Sequence, residues 1–167
     1  SDRMKLLIND ANILIDIVKL DIVEAFLSLN FDLHTTDFVF AELNDHQQAT
    51  ITSGRLKIIK TENQQDFDAI MNLLIAHKGL SFEDCSVWHY TQKLKGTLIT
   101  GDAILRKKVT KAGLDVKGII FILEEIKNQN KLPVNICIEK LEALKAINDR
   151  LPINEIDKRI QDWTIDQ

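Results

Sequence analysis

The sequence predicts an α/β fold, a parallel sheet with helices on both faces, followed by a helical carboxyl-terminal segment. Three observations carry this. Short apolar runs alternate with segments whose apolar residues recur at helical spacing, the pattern of parallel strands joined by right-handed crossovers. Strand-like runs stop after Pro133, while helical stripes continue. With 167 residues, 45% of them hydrophobic, the chain is large enough to bury a real core without help.

Lys5 to Asn9 reads as a buried strand because Leu6, Leu7 and Ile8 run on without a polar break. Helical segments follow over Ile13 to Leu29, with Val18, Ile22, Val23, Phe26 and Leu27 at helical spacing. A short strand around Leu33 to Thr35 precedes a helix over 38–52, and a strand over 56–60 follows Gly54. The next helix sets Phe67, Ile70, Met71 and Leu74 on one apolar stripe. A helix over 82–93 leads into the strand Thr97 to Ile99, which breaks off at Gly101 and Asp102. A helix over 103–112, a short strand at 115–117 and a helix over 119–127 complete the alternation. Beyond Pro133, Ile138, Leu141, Leu144 and Ile147 form one helical stripe, and Ile153, Ile156, Ile160 and Trp163 form another. Helices this short are not stable alone, so both stripes must pack on the core or on another subunit.

A formal net charge of -4 excludes a global basic field, although a local basic strip remains compatible with nucleic acid. Cys85 and Cys137 stand far apart without metal-ligand spacing, which argues against a disulfide scaffold or zinc. No apolar run approaches the roughly 20 residues that cross a bilayer, and no secretory leader pattern is present, so no membrane role and a cytoplasmic location are expected. His34, His46, His77 and His89 have no ligand spacing, and Trp88, Tyr90 and Trp163 read as core or interface residues.

The candidate site rests on four acids. Asp10 closes the first strand and Asp102 follows a later one, so both fall at carboxyl ends of strands, where open parallel sheets bind ligands. Asp84 lies in the first turn of a helix and Glu42 near the start of another, and helices leaving that edge begin there too. Each acid also has a local reading. Asp102 can cap the helix after it, Ser81 with Asp84 fits a capping box, Asp10 can form a turn, and Glu42 can be a solvated helix-face acid. Gathered in one crevice, however, the four repel, and some must take up protons unless a cation balances them. Hard oxygen ligands select Mg²⁺ or Mn²⁺, which points to a metal-dependent enzyme acting on phosphates.

These residues resemble the PIN domain nucleases. That family has an Asp after the first strand with a small polar residue close behind, a Glu on a later helix, an Asp in a Leu-Ser-x-x-Asp helix start, and a Thr-x-Asp after a later strand. This sequence has Asp10 with Asn12, Glu42 in FAEL, Asp84 in LSFED, and Thr100-Gly101-Asp102, in the same order over about Met4 to Glu125. The resemblance implies a three-layer α/β/α sandwich with a central parallel sheet over 4–130, followed by a helical extension over 131–167. It also implies hydrolysis of RNA phosphodiesters with Mg²⁺ or Mn²⁺, leaving 5′-phosphate and 3′-hydroxyl ends. The activity is that of the toxin ribonucleases of bacterial toxin/antitoxin pairs, with an antitoxin protein as partner and a homodimer as the assembly. On this reading Asp10, Asp84 and Asp102 hold the metal, Glu42 is a ligand or orients water, and Asn12 and Thr100 position ligands or phosphate. Some members of the family carry a further acid just after Thr-x-Asp, which is missing here, where Ala103, Ile104 and Leu105 stand. Glu83 is acidic too, but it points about 100° away from Asp84 on a helix.

Arg106, Lys107 and Lys108, with Lys111, follow Asp102 on one helix and suit RNA phosphates, or equally a solvated helix end. Two rival functions are a non-catalytic PIN-like module that binds RNA or protein, and a haloacid-dehalogenase-type phosphatase. The latter needs a second Asp where Asn12 stands.

Overall fold

Leu7 and Ile8 are wholly inaccessible, which requires cover on both faces of the strand that carries them, β1 (Leu6–Asn9). The computed structural model describes residues 4–52 and 54–166, so Gln167 of the expected extension lies outside it. β1 lies at the centre of a five-stranded parallel sheet of order β3-β2-β1-β4-β5. The other strands are β2 (Asp32–Thr36), β3 (Lys57–Ile59), β4 (Thr97–Ile99) and β5 (Asp115–Lys117). In register, Leu7 pairs with Leu33 on one side and Ile8 with Leu98 on the other. The chain runs from β1 outward through β2 to β3, then crosses back to β4 on the opposite flank of β1. That reversal makes the carboxyl ends of β1 and β4 a topological switch point, the place where such sheets open a crevice.

The crossovers supply the outer layers. α1 (Ala11–Lys19) and α2 (Val23–Leu27) join β1 to β2, and the chain turns between them at Asp21, whose φ of 56° is left-handed. α3 (Asp37–Glu42) and α4 (Asp45–Ile51) follow β2 where one helix over 38–52 is expected. The break is chemical. Asn44 accepts from the Gln47 N–H while the Gln47 side chain accepts from the Asn44 N–H, a reciprocal cap that starts a second helix.

α5 (Gln64–Ala76) packs on α6 (Phe82–Leu94), and α6 lies across β1, β2 and β4. Because α5 is the outer of the two, Ile70 is buried but Phe67, expected on the inward stripe, is 41% exposed and packs its ring on Phe82. Asp66 clamps the pair by accepting from Lys93 and His89, and these partners hold its carboxyl down at about 2. α7 (Ala103–Lys111) links β4 to β5, and α8 (Ile119–Asn128) follows β5.

α9 (Val134–Ile147) lies against α8 and α1 and buries Cys137, Leu141 and Leu144. Its inward face is therefore rotated from the expected stripe, leaving Ile147 at the surface. α10 (Ile153–Ile165) buries Ile156 and Trp163 and is held by Arg159 to Glu124, by Lys145 to Asp157, and by Lys127 over the Trp163 ring. Trp88 and Tyr90 are core residues as expected. No helix among the described residues is long and apolar enough to cross a membrane.

One glycine tests this packing. α6 ends at Lys95 in left-handed backbone, and Gly96 then passes so close to β1 that a Cβ there would stand 2.7 Å from Leu6 Cδ2 and 2.9 Å from the Leu6 carbonyl oxygen. The backbone oxygen cannot swing aside. Gly96→Ala is therefore expected to cost about 1–3 kcal/mol, the range for overpacking, read as a lower midpoint in urea unfolding.

Candidate active site

Asp10 is the residue at which β1 becomes α1. Its Oδ1 accepts from the Ala11 N–H at 2.9 Å and its Oδ2 from the Thr100 hydroxyl at 2.7 Å. Only 5% of it is exposed. Burial pushes its carboxyl up to about 6, against the pull of those two hydrogen bonds, and the charges of Asp84 and Asp102 raise it further. The same Thr100 hydroxyl accepts from the Asp102 N–H at 3.1 Å, so one buried side chain ties the ends of β1 and β4 together.

Asp102 caps α7, accepting from the Leu105 N–H at 2.8 Å, and Asn12 reaches across from α1 to take the Gly101 N–H at 2.9 Å. Asp84 completes the capping box with Ser81, accepting from the Ser81 N–H at 2.9 Å. Its carboxyl is raised, first by burial and then by the charges of Asp102 and Glu83. The capping readings of Asp84 and Asp102 are thus correct, yet each cap uses one oxygen. Among the described residues no hydrogen bond reaches Asp84 Oδ1 or Asp102 Oδ2.

Glu42 is the last residue of α3, not an early one, because the helix breaks at Asn44. Although Glu42 is exposed on one side, partial loss of water and the charges of Glu83, Asp10 and Asp84 push its carboxyl up to about 7. Glu83 therefore shares the space with Glu42. The turn that separates it from Asp84 on α6 aims it at α3, a contact invisible to helix geometry alone. A second pair escaped the sequence reading. Thr36, which caps α3, and Ser86 on α6 join their hydroxyls at 2.8 Å in the core, and Ser86 also donates to the Glu83 carbonyl. This link sets α3 against α6 and so brings Glu42 and Glu83 together.

Asp84 and Asp102 thus act on Asp10 by their charge, and Asp10 and Asp84 on Glu42, which places the four acids around one edge of the sheet. Among the described residues no three His, Cys, Asp or Glu side chains are grouped closely enough to hold an ion as they stand. In donor type the set fits a hard divalent ion: all carboxylate oxygens, with one oxygen each of Asp84 and Asp102 and both of Glu42 free of hydrogen bonds among the described residues. Arg106 lines a cavity at the end of β5, while Lys107 and Lys108 are not in its walls, and none of the three has an ion-pair partner among the described residues.

A parallel sheet with acids at its switch point defines a class of small α/β/α domains. A family model described as a PIN domain matches residues 6–164, and the chain belongs to the PIN domain family. Two solved structures are similar. One is VapBC2 from Rickettsia felis, bound to a DNA fragment from their promoter, with 16% identity, a TM-score of 0.49 and coverage of 68% of this chain and 98% of that one. The other is VapBC-1 from nontypeable Haemophilus influenzae, with 18% identity, a TM-score of 0.50 and coverage of 69% and 98%. At 18% identity the second likeness speaks for the fold alone. No curated protein matches the chain.

The raised acids give stability a definite pH dependence. An acid whose pKa is higher in the folded than in the unfolded chain holds its proton more tightly when folded, so stability falls as pH rises between the two values. For Asp10 the window opens at 3.8 and closes at about 6, and Glu42 extends it towards 7. In chelator, the Asp10 contribution is expected to fall by on the order of 3 kcal/mol across that window, and Asp10→Asn to flatten it. Urea unfolding at stepped pH reads this directly, and an equally steep fall in the variant would contradict it.

Proposed function

We propose that the protein is an endoribonuclease that hydrolyses RNA phosphodiester bonds with Mg²⁺ or Mn²⁺. The observation that carries this reading is the joint at the switch point, where the Thr100 hydroxyl donates to Asp10 and accepts from the Asp102 N–H while the charges of Asp84 and Asp102 act on Asp10. A fold that retains such repulsion beside its switch point sacrifices stability, as functional sites do.

Asp10, Asp84 and Asp102 would hold the cation, with Glu42 as a further ligand or as the base that orients water. Bound there, a divalent ion supplies positive charge to the phosphate and lowers the pKa of water. Thr100 fixes Asp10 by donating to Oδ2 and fixes Asp102 by accepting from its N–H. Asn12 holds the Gly101 turn that presents Asp102. Glu42, its carboxyl raised to about 7 by partial loss of water and the charge of Glu83, would be suited to accept and return a proton near neutrality. Arg106, Lys107 and Lys108 would grip phosphates. On the family likeness we extend the proposal to a toxin that pairs with an antitoxin protein and forms a homodimer. We take 4–130 as the nuclease domain and 131–167 as its helical extension.

A non-catalytic RNA- or protein-binding module of the same fold would have no use for the repulsion. A haloacid-dehalogenase-type phosphatase would need an acid at position 12, and the amide oxygen of Asn12 is spent on the Gly101 N–H.

Two measurements test the proposal. Cleavage of single-stranded RNA should require Mn²⁺ or Mg²⁺ and stop in excess chelator. In Asp102→Asn the cap is retained, because asparagine caps about as well as aspartate. That variant should melt at or above the wild-type temperature without metal, yet lose about a hundredfold or more in cleavage rate, since even groups that only orient ligands are worth roughly 10- to 100-fold. Wild-type activity in the variant would reduce Asp102 to a cap.

A further inference from the structure

The structure describes four arginines, and they divide sharply. Arg55 is consumed by the carbonyls of Leu27, Leu29 and Phe31, and Arg159 by Glu124 and the Glu155 carbonyl. Arg106 and Arg150 are exposed and have neither a side-chain hydrogen bond nor an ion pair among the described residues. Arg150 belongs to the loop, residues 148–152, that joins α9 to α10, and Arg106 faces that loop across a cavity.

On one side a cavity of about 260 Å³ opens between Arg106, Lys117 and Gly118 and the loop residues Leu151 and Pro152. Gly118 leaves room for the guanidinium, whose Nη1 lies 3.3 Å from where a Cβ would be, and that same position lies 3.7 Å from the Thr100 carbonyl. On the other side a cavity of about 220 Å³ opens between Asn12, Gly101 and Lys19 and the loop residues Asn148 and Arg150. The second cavity is thus lined by Gly101 itself, while the first is lined by Gly118, which packs against the Thr100 carbonyl. The loop is tied to α1 and braced on itself, because Asn148 donates to Asp16 Oδ2 at 3.1 Å and accepts from the Arg150 N–H at 3.2 Å.

Resting on the ribonuclease reading, we propose that the α9–α10 loop forms one bank of the RNA cleft, with Arg150 and Arg106 holding the phosphates on either side of the bond at the acids. A guanidinium presents a rigid fork of donors that matches phosphate, and it stays charged at any working pH. Of the carboxylates that share these cavities, Asp16 is bonded to Asn148 and Glu124 to Arg159, which leaves Asp149 and Glu155 facing solvent. Lys19 and Lys117 flank the two arginines and widen the basic margin.

The test is binding of a short fluorescein-labelled oligouridylate by the full chain, in chelator so that nothing is cleaved, over a series of salt concentrations. Each phosphate neutralised on a single strand contributes about 0.7 to the slope of log affinity against log salt. Arg106→Gln and Arg150→Gln should each lower the slope by about 0.7, and the double variant by about 1.4, with melting temperatures unchanged because both side chains are exposed. Arg150→Lys should keep the slope, and Lys158→Gln on the far part of α10 should leave it alone. An unchanged slope in Arg150→Gln, in a protein that still binds and cleaves RNA, overturns the role of the loop and leaves the ribonuclease standing. A wild-type chain that neither binds nor cleaves RNA overturns both.

Discussion

The hydroxyl of Thr100, donating to Asp10 and accepting from the Asp102 N–H, is the interaction on which the site depends. It lies at the switch point, where β1 and β4 are neighbours in space though about ninety residues apart in sequence. Through that one group the end of the first strand, the turn after the fourth and the starts of α1 and α7 share a single geometry. The Asn12 amide repeats the connection one residue further out, at Gly101. Removing water from Asp10 is unfavourable for its charged form, and the hydroxyl offsets only part of that.

Around this joint, helix capping and the chemistry of the site draw on the same residues without conflict. A carboxylate has two oxygens, and Asp84 and Asp102 each give one to a helix start and leave one towards the crevice. The cap also orients the free oxygen, because a side chain held by its own backbone cannot rotate away. Glu42 lacks that restraint and sits at the carboxyl end of a short helix, where the helix dipole disfavours negative charge. The charges of Glu83, its neighbour on α6, and of Asp10 help to hold its carboxyl up at about 7.

What could be read from the sequence was local, and what could not was distant. Ser81 with Asp84 and Asp102 before α7 are short-range patterns, so their caps were legible, as was the alternation that orders the sheet. The reciprocal cap of Asn44 and Gln47 was equally local, an Asn-x-x-Gln signal that could have divided the helix over 38–52. The Thr36–Ser86 bond had no such signal, since it joins residues fifty apart across the core. The same holds for Glu83, whose relevance comes from α3 rather than from α6. Phe67 and the stripe of α9 show a different limit. Apolar spacing says that a helix has an inner face, but which neighbour lies inside decides how far that face is turned.

The sheet ends in two strands of only three residues, β3 and β5, each carrying a lysine at its margin, Lys57 and Lys117. Such stubs present few free backbone groups, and their charges repel a second strand laid alongside. The molecule is thereby guarded against joining sheet to sheet with its own copies, as crowded or partly unfolded β-proteins do in fibrils. Controlled assembly is left to the helical surfaces, where side chains rather than backbone decide the partner.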